Sequence, residues 1–114
     1  MTFSQSVPLH IEFKKTDDKV LLVKIKGSVI DQNVEHLQKK LERAYRTNSP
    51  QIILDISGID FLNSMGLGVI IYIHTLMLKS GRRLSILNPT TGPSAYIDEL
   101  FKSTNLDKVL NIIR

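Results

Sequence analysis

Two stretches near the start of the chain alternate apolar and polar residues, a pattern typical of β-strands with one exposed face. In LHIEFKK, residues 9–15, Leu9, Ile11 and Phe13 alternate with polar side chains. The second stretch, VLLVKIKG at residues 20–27, is β-branched and alternates toward its end. Because the turn formers TDDK separate the two stretches, the pattern predicts an antiparallel hairpin.

The period then changes to three or four residues, with apolar side chains at Val34, Leu37, Leu41 and Ala44. Polar residues fill the opposite side, so this segment is predicted to be an amphipathic helix. Asp31 or Asn33 can cap its start, and TNSP at residues 47–50 ends it. The apolar run QIILDIS, residues 51–57, predicts a strand buried on both faces. A helix between two strands implies a parallel crossover.

The second half of the chain continues this alternation. GVIIYIHTLML, residues 68–78, is apolar all round, and its length favours a buried helix that Gly81 terminates. RLSILN, residues 83–88, predicts a strand, and PTTGPS a turn. Residues 93–106 predict a helix with Pro93 in its first turn and Ala95, Leu100 and Phe101 on its inner face. VLNIIR is a last strand or a helix end. The order β-β-α-β-α-β-α predicts an α/β domain with a mixed sheet.

Composition narrows the class of protein. A chain of 114 residues, 42% of them hydrophobic, can bury the core of one domain spanning residues 1–114 without disulfides or metal. The formal charge of +4 comes from basic residues that are scattered or paired, whereas nucleic-acid binders concentrate charge on one face. Zero cysteines exclude a disulfide framework, a thiolate zinc site and a cysteine nucleophile. We expect no nucleic-acid role.

Targeting signals are also missing from the sequence pattern. The first residues, MTFSQSVPLHIEF, lack the basic start and apolar run of a secretory signal. The longest apolar stretch, residues 65–78, is shorter than the roughly 20 residues of a membrane span. The prediction is a soluble cytoplasmic protein that does not insert into membranes.

Candidate chemistry is sparse. His10, His36 and His74 are the only histidines, and none lies in a catalytic or metal-binding pattern. GLG at residues 66–68 lacks the remainder of a dinucleotide-binding loop. We therefore expect no catalytic residue, no metal and no cofactor.

Ser64, in FLNSMGLGVI, allows two interpretations. A serine before an apolar helical run can accept hydrogen bonds from the first free N–H groups of the helix. A serine at that position is also accessible, and a phosphate there would meet free N–H donors and the positive end of the helix dipole. The two interpretations are compatible, and sequence pattern alone favours the cap.

Three segments in order resemble a known family. LDISGIDFLNSMGLGVII, residues 54–71, is similar to the signature of the anti-sigma factor antagonists, the STAS-domain family: a strand ending in Leu-Asp, then Asp-Ser-Ser-Gly at a helix start. LLVKIKGSVIDQNVEHLQKKL, residues 21–41, resembles the family's second strand, glycine and first helix. Residues 81–112 resemble its fourth strand, proline-led helix and closing segment.

The resemblance implies a mixed sheet of four to five strands with helices mainly on one face, and a function by partner switching without catalysis. In the family, the unphosphorylated form binds an anti-sigma factor, typically a serine kinase of the histidine-kinase-like ATPase type, and frees the sigma factor. That kinase phosphorylates a hydroxyl at the helix start, and a serine phosphatase reverses the modification. The matching position is Ser64. Oligomeric state is left open.

The resemblance also implies a partner face around Ser64. It consists of the flanking residues and the first loop: Ser28, Asp31, Asn33, Asn63, Met65 and Gly66. Two positions depart from the family pattern, since Asn63 replaces the acidic residue before the acceptor and Met65 replaces the second serine. In the first loop Ile30 occupies the usual aspartate position, and Asp31 follows it.

Two alternatives remain. The same domain could serve, with Ser64 unmodified, in a signalling scaffold or as a module of a lipid or anion transporter. A second alternative is a small nucleotide-binding protein that uses the polar edge near Ser64 and the basic turn GRR at residues 81–83.

Overall fold

The computed structural model describes residues 8–17 and 19–114, which form a five-stranded sheet and three α-helices. The elements in chain order are β1 (Leu9–Asp17), β2 (Val20–Val29), α1 (Val34–Arg46), β3 (Gln51–Leu62), α2 (Ser64–Lys79), β4 (Arg83–Leu87), α3 (Ile97–Ser103) and β5 (Asn111–Ile113). A 3-10 turn at Leu106–Lys108 precedes β5. The predicted order is confirmed, and the end of the chain forms a strand.

The strands lie in the sheet in their chain order, β1-β2-β3-β4-β5. β1 and β2 form the predicted antiparallel hairpin, and the Asp17 carboxylate accepts hydrogen bonds from the N–H groups of Lys19 and Val20 at the turn. Every other neighbouring pair is parallel. Asp18 of the predicted turn lies outside the described residues, and so do residues 1–7, which carry the prediction that no secretory signal is present.

α1 and α2 are the crossovers that join parallel strands, and they pack against each other and against the sheet. The buried side chains of α1 are the four that the sequence period predicted: Val34, Leu37, Leu41 and Ala44. α2 contributes Ile70, Ile73 and Met77 to the same core. Its predicted stop is confirmed, because Gly81 has a φ of 71° and the N–H of Arg82 donates to the carbonyl of Met77 (2.8 Å).

β3 differs from its prediction in length and in burial. It is 12 residues long, because it continues through Gly58 to Leu62 instead of ending at Ser57. Two register shifts against β2 each add one residue to β3, and they allow the strand to bend without leaving the sheet. One face is fully buried at Ile52, Leu54 and Ile56, while the other face is only partly covered. The expectation of burial on both faces was therefore wrong, since α1 and α2 cover one face.

α3 begins later than predicted. The segment after Gly92 forms three-residue turns, with the N–H of Ala95 bonded to the carbonyl of Gly92 and the N–H of Ile97 to that of Ser94. Pro93 therefore precedes the helix and does not lie in its first turn. Ile97 and Phe101 form the fully buried face, whereas Ala95 and Leu100 are only partly buried.

Candidate functional site

The predicted site residues meet at one edge of the sheet. Parallel strands end at the same edge, and β2 and β3 end in register there, with Ser28 beside Phe61 and Val29 beside Leu62. α2 starts after a single residue, Asn63, at the end of β3, and α1 starts after a loop of four residues, 30–33, at the end of β2. The sheet edge thus brings together all seven predicted residues: Ser28, Asp31, Asn33, Asn63, Ser64, Met65 and Gly66.

Asn63 is the N-cap of α2. Its backbone is extended, with φ of −80° and ψ of 172°, and its Oδ1 accepts a hydrogen bond from the N–H of Gly66 (2.8 Å). Its Nδ2 donates to Oδ1 of Asp31 (2.9 Å), and its own N–H donates to the carbonyl of Val29 (3.1 Å). One amide side chain therefore caps the helix and ties its start to the loop after β2.

Ser64 occupies the first position of α2, and its side chain is exposed. Among residues 8–17 and 19–114, no side-chain or backbone group forms a hydrogen bond with its hydroxyl. The interpretation of Ser64 as the helix cap was therefore wrong, because Asn63 provides that hydrogen bond one residue earlier. The Ser64 hydroxyl lies at the positive end of the helix dipole with no structural bond to break.

Gly66 allows α2 to approach the strand ends closely. A Cβ at this position would lie 2.5 Å from Cγ1 of Val29 and 2.8 Å from Cδ1 of Leu62, which is shorter than real contacts. The absence of a side chain therefore sets the distance between the start of α2 and the ends of β2 and β3. Gly66 is buried, so it supports the site instead of offering a side chain to a partner.

Asn33 is a buried residue that stabilises the loop after β2. It is only 7% exposed, its Oδ1 accepts from the N–H of Ile30 (2.9 Å), and its Nδ2 donates to the carbonyl of Ser28 (2.8 Å). These bonds close the loop that presents Asp31. Asn33 stands at the N-cap position of α1, but the cap side-chain bond expected of it or of Asp31 is not formed in the described structure.

Two polar residues of this edge were not predicted from the sequence. The Ser28 hydroxyl donates to the carboxylate of Asp60 on β3. The hydroxyl of Tyr96, in the turn before α3, accepts from the N–H of Leu62 (3.1 Å). Partial burial raises the pKa of Tyr96, the Leu62 N–H lowers it, and the nearby Asp60 carboxylate raises it. Sequence separations of 32 and 34 residues hide both pairs from any local pattern.

The exposed surface of the site combines polar and apolar groups. Asp31, Asp60 and Ser64 are exposed. Beside them, Phe61 is 49% and Met65 is 55% exposed, although both are large apolar side chains. An exposed hydroxyl at the same sheet edge as exposed apolar side chains and carboxylates is typical of a protein-binding surface, because apolar area contributes affinity and charges contribute selectivity.

The basic turn GRR lies away from this edge. α2 separates Ser64 from Arg82, and a helix of 16 residues is about 24 Å long. The Arg82 guanidinium is itself occupied, because it donates to the carbonyls of Tyr45 (3.0 Å) and Ser49 (3.3 Å) and stacks on the Tyr45 ring. The structure does not bring together the two groups that the nucleotide-binding alternative requires.

In the part of the chain that the structure describes, no three histidine, aspartate or glutamate side chains group as metal ligands. None of the helices in the described ranges is long and apolar enough to cross a bilayer.

The chain matches the model of the STAS domain family over residues 11–114, and it belongs to that family. Its fold resembles an anti-sigma factor antagonist from Mycobacterium paratuberculosis, at 20% identity over 98% of this chain and 89% of that chain, with a TM-score of 0.74. It also resembles the anti-sigma factor antagonist SpoIIAA in its unphosphorylated form, at 17% identity over 92% of this chain and 89% of that chain, with a TM-score of 0.71.

The phosphorylated form of the Bacillus cell fate determinant SpoIIAA is similar to the same degree. It is 17% identical, 92% of each chain is covered, and the TM-score is 0.69. At these identities the likeness establishes the fold. The predicted STAS-domain family is confirmed. The predicted fold class, an α/β domain with a mixed sheet of four to five strands, is also confirmed, and the sheet has five strands.

Proposed function

We propose that the protein is an anti-sigma factor antagonist switched by phosphorylation of Ser64. Its unphosphorylated form binds an anti-sigma factor that is also a serine kinase of the histidine-kinase-like ATPase type, and thereby releases the sigma factor. The kinase then transfers the γ-phosphoryl group of ATP to Ser64: a bond forms between the Ser64 oxygen and the γ-phosphorus, the bond from that phosphorus to the ADP oxygen breaks, the hydroxyl proton passes to a base of the kinase, and ADP leaves. A serine phosphatase hydrolyses the phosphoester and restores the binding form.

The observation that carries this proposal is the division of roles between Asn63 and Ser64. Because the Asn63 side chain caps α2, the Ser64 hydroxyl is exposed and serves no structural bond in the described residues. A kinase can modify it without disturbing the helix. The resemblance of the fold to anti-sigma factor antagonists, one of them in a phosphorylated form, supports the same function.

The charges of this edge support a switch by repulsion. A phosphoserine carries about −1.5 to −2 charges at pH 7. It would join Asp31 and Asp60, which are exposed at the same edge, so the negative charge of the face would increase sharply. A partner surface adapted to the unmodified face would then have to desolvate or oppose that charge, and each 1.4 kcal/mol of penalty weakens binding about tenfold. The fold itself need not move.

Asn63 affects the charge next to Ser64, where the phosphoryl group would be added. An aspartate at this position would place a carboxylate next to Asp31 and next to the incoming phosphate, whereas the Asn63 amide donates to Asp31. The neutral amide thus lowers the negative charge that the kinase must approach. We expect Asn63→Asp to slow phosphoryl transfer to Ser64 while it preserves the helix cap, because a carboxylate oxygen can accept the Gly66 N–H equally well.

A direct test measures binding of the purified protein to each histidine-kinase-like serine kinase of its organism by calorimetry with ADP present. We expect the wild-type chain to bind one of them and Ser64→Glu to bind at least about tenfold more weakly. Ser103→Glu is the matched control, because Ser103 is also exposed and lies at the end of α3. Equal affinity of the wild-type and Ser64→Glu chains for that kinase would contradict the switch. A wild-type chain that binds no such kinase would contradict the function.

A further inference from the structure

A groove runs between α1 and α2 and begins beside Ser64. It has a volume of about 360 Å³ and is lined by Val34, Gln38, Met65, Gly68, Val69 and Tyr72. Met65 is 55% and Tyr72 is 45% exposed, so the chain leaves two large apolar groups in water along its rim. The groove is therefore an exposed apolar surface of the kind that marks interaction sites.

The groove and Ser64 share one face of α2. At about 100° per residue, Ser64, Gly68 and Tyr72 follow each other at four-residue spacing and, with Met65, fall within an arc of about 100°. Leu78 is also exposed, but it lies about 21 Å along the helix from Ser64 and about 120° around the axis from Tyr72, where it borders a separate cavity. A partner that covers the Ser64 hydroxyl can thus continue along the helix without a break.

Gly68 is the residue that opens this groove. Apart from the chain neighbours of Gly68 and the backbone of its own helix, no atom of the described chain lies within 4 Å of the point where its Cβ would be, and its φ is not positive. Neither crowding nor backbone conformation therefore requires glycine. Glycine in a helix interior is nevertheless destabilising relative to alanine. This contrasts with Gly66, where crowding explains the glycine. The empty space above Gly68 suits close approach by a group from outside the chain.

The charged residues beside the groove indicate which kind of partner can bind there. From Ser64 to Leu78, α2 carries no aspartate, glutamate, lysine or arginine, so nothing on its face attracts a nucleic acid or an anionic membrane. On the α1 side, Gln38 donates to the carboxylate of Glu42 (3.5 Å), and Glu35 lies one turn earlier. Glu35 forms an ion pair with Lys39 (3.1 Å), whereas no ion pair of Glu42 is found among the described residues. The floor of the groove is apolar, and Glu42 is the carboxylate on its α1 flank that a cationic partner group can reach.

We infer that this groove seats an amphipathic helix of the anti-sigma factor, whose apolar side chains enter above Gly68 and whose flanking lysine or arginine faces Glu42. The inference rests on the proposed function and names the docking surface for that partner. Helices bind grooves of this kind through apolar anchors spaced three, four and seven residues apart. Because the seat is continuous with Ser64, a phosphate there disturbs one end of an interface that otherwise remains apolar.

The experiment compares affinities for the serine kinase that the wild-type chain binds, again by calorimetry with ADP. We expect Gly68→Gln, which fills the groove, and Tyr72→Gln, which removes an apolar wall, each to weaken binding at least about tenfold. Leu78→Gln is the matched control, because Leu78 lies near the far end of α2 and outside the groove, and we expect a change below about twofold. Glu42→Lys should weaken binding more than Glu99→Lys, which makes the same charge change at an exposed position of α3, away from the groove.

The outcomes separate this inference from the proposed function. If the wild-type chain binds and Gly68→Gln and Tyr72→Gln bind equally well, the groove is not the seat, and the proposed function stands. If the wild-type chain binds no kinase of this class, both fail. If sedimentation equilibrium instead shows a dimer that Gly68→Gln dissociates, the groove holds a second copy of the chain, which overturns the inference.

The identity of the occupant has its own measurement. A photoreactive p-benzoylphenylalanine introduced in place of Tyr72 should cross-link to the bound kinase, and peptide mapping should locate the cross-link on an apolar helix with an adjacent lysine or arginine. Cross-links to a polar loop would contradict the inference. The same amino acid in place of Leu78 serves as the control, and we expect no cross-link from it.

Discussion

At the scale of single residues, the neighbours Asn63 and Ser64 have different roles. The Asn63 side chain bonds to the Gly66 N–H and to Asp31, and the Ser64 hydroxyl bonds to nothing in the described chain. One residue stabilises the start of α2, and the other is available for chemistry. Truncation of these two adjacent side chains should therefore have different effects on stability.

Asn63→Ala should lower the free energy of unfolding by about 1 kcal/mol, because it removes the helix cap. Ser64→Ala should change it by less than about 0.5 kcal/mol, as expected of a surface substitution that breaks no bond. Urea denaturation of both variants and the wild-type chain measures the two differences. A larger loss for Ser64→Ala than for Asn63→Ala would show that the serine is the cap.

Tyr96 gives the site a dependence on alkaline pH. Partial burial raises its pKa above the ordinary value of 10.0, so the folded state favours the neutral phenol more than the unfolded state does. Its contribution to stability is complete below about pH 10 and is lost as the pH rises through the folded pKa. Tyr96→Phe should therefore lose less stability than the wild-type chain between pH 9 and pH 11 (about one unit either side of that value). Urea midpoints at both pH values test this, and parallel losses would contradict it.

At the scale of secondary-structure elements, α2 packs closely against the ends of β2 and β3 at Gly66, whereas no neighbouring element packs against it at Gly68. Gly66 faces Val29 and Leu62 at distances too short for a Cβ, whereas Gly68 faces open space. The two glycines lie two residues apart in the same helix and share the same intrinsic cost. The requirement for glycine at Gly66 and not at Gly68 therefore comes from tertiary packing and not from helix propensity.

The same substitution should have opposite effects at these two positions. Gly66→Ala should destabilise the protein by about 1 to 3 kcal/mol, because the added carbon forces α2 away from β2 and β3. Gly68→Ala should stabilise it by up to about 1 kcal/mol, because alanine has the higher helix propensity and its methyl group meets no neighbouring element of the described chain. Thermal or urea unfolding of the two variants decides this, and the same sign at both positions would contradict the packing described here.

Sequence patterns predicted the elements in which buried residues recur at a regular spacing or a local residue type marks the end. The four apolar positions of α1 and the stop at Gly81 follow from local spacing and local backbone chemistry, and both are confirmed. The late start of α3 and the extension of β3 depend on turn geometry and on bulges against a neighbouring strand, which no local period encodes. At the site, Asp60 and Tyr96 escaped prediction because their partners are more than 30 residues away along the chain.

At the scale of the whole molecule, the proposed switch is a change of charge on one face of the domain. The Ser64 side chain is exposed at a helix start, so an acidic group there leaves the core untouched and interacts favourably with the helix dipole. The switch then acts on the interface and not on the fold.

Ser64→Glu should accordingly keep the thermal stability of the wild-type chain or raise it by up to about 1 kcal/mol, since an anion in the first helical turn is favourable. Differential scanning calorimetry measures the change. A loss of more than about 1 kcal/mol would mean that a negative charge at Ser64 acts by unfolding the site. That result would contradict a switch that acts only on the interface.

The central claim is that Ser64 is the phosphate acceptor, and phosphopeptide mass spectrometry after incubation with the bound serine kinase and ATP tests it most directly. We predict one phosphate on the peptide that contains Ser64, no phosphate on Ser64→Ala, and unchanged labelling of the control Ser103→Ala. Phosphate that persists on Ser64→Ala, or that maps to another residue of the wild-type chain, would contradict the claim.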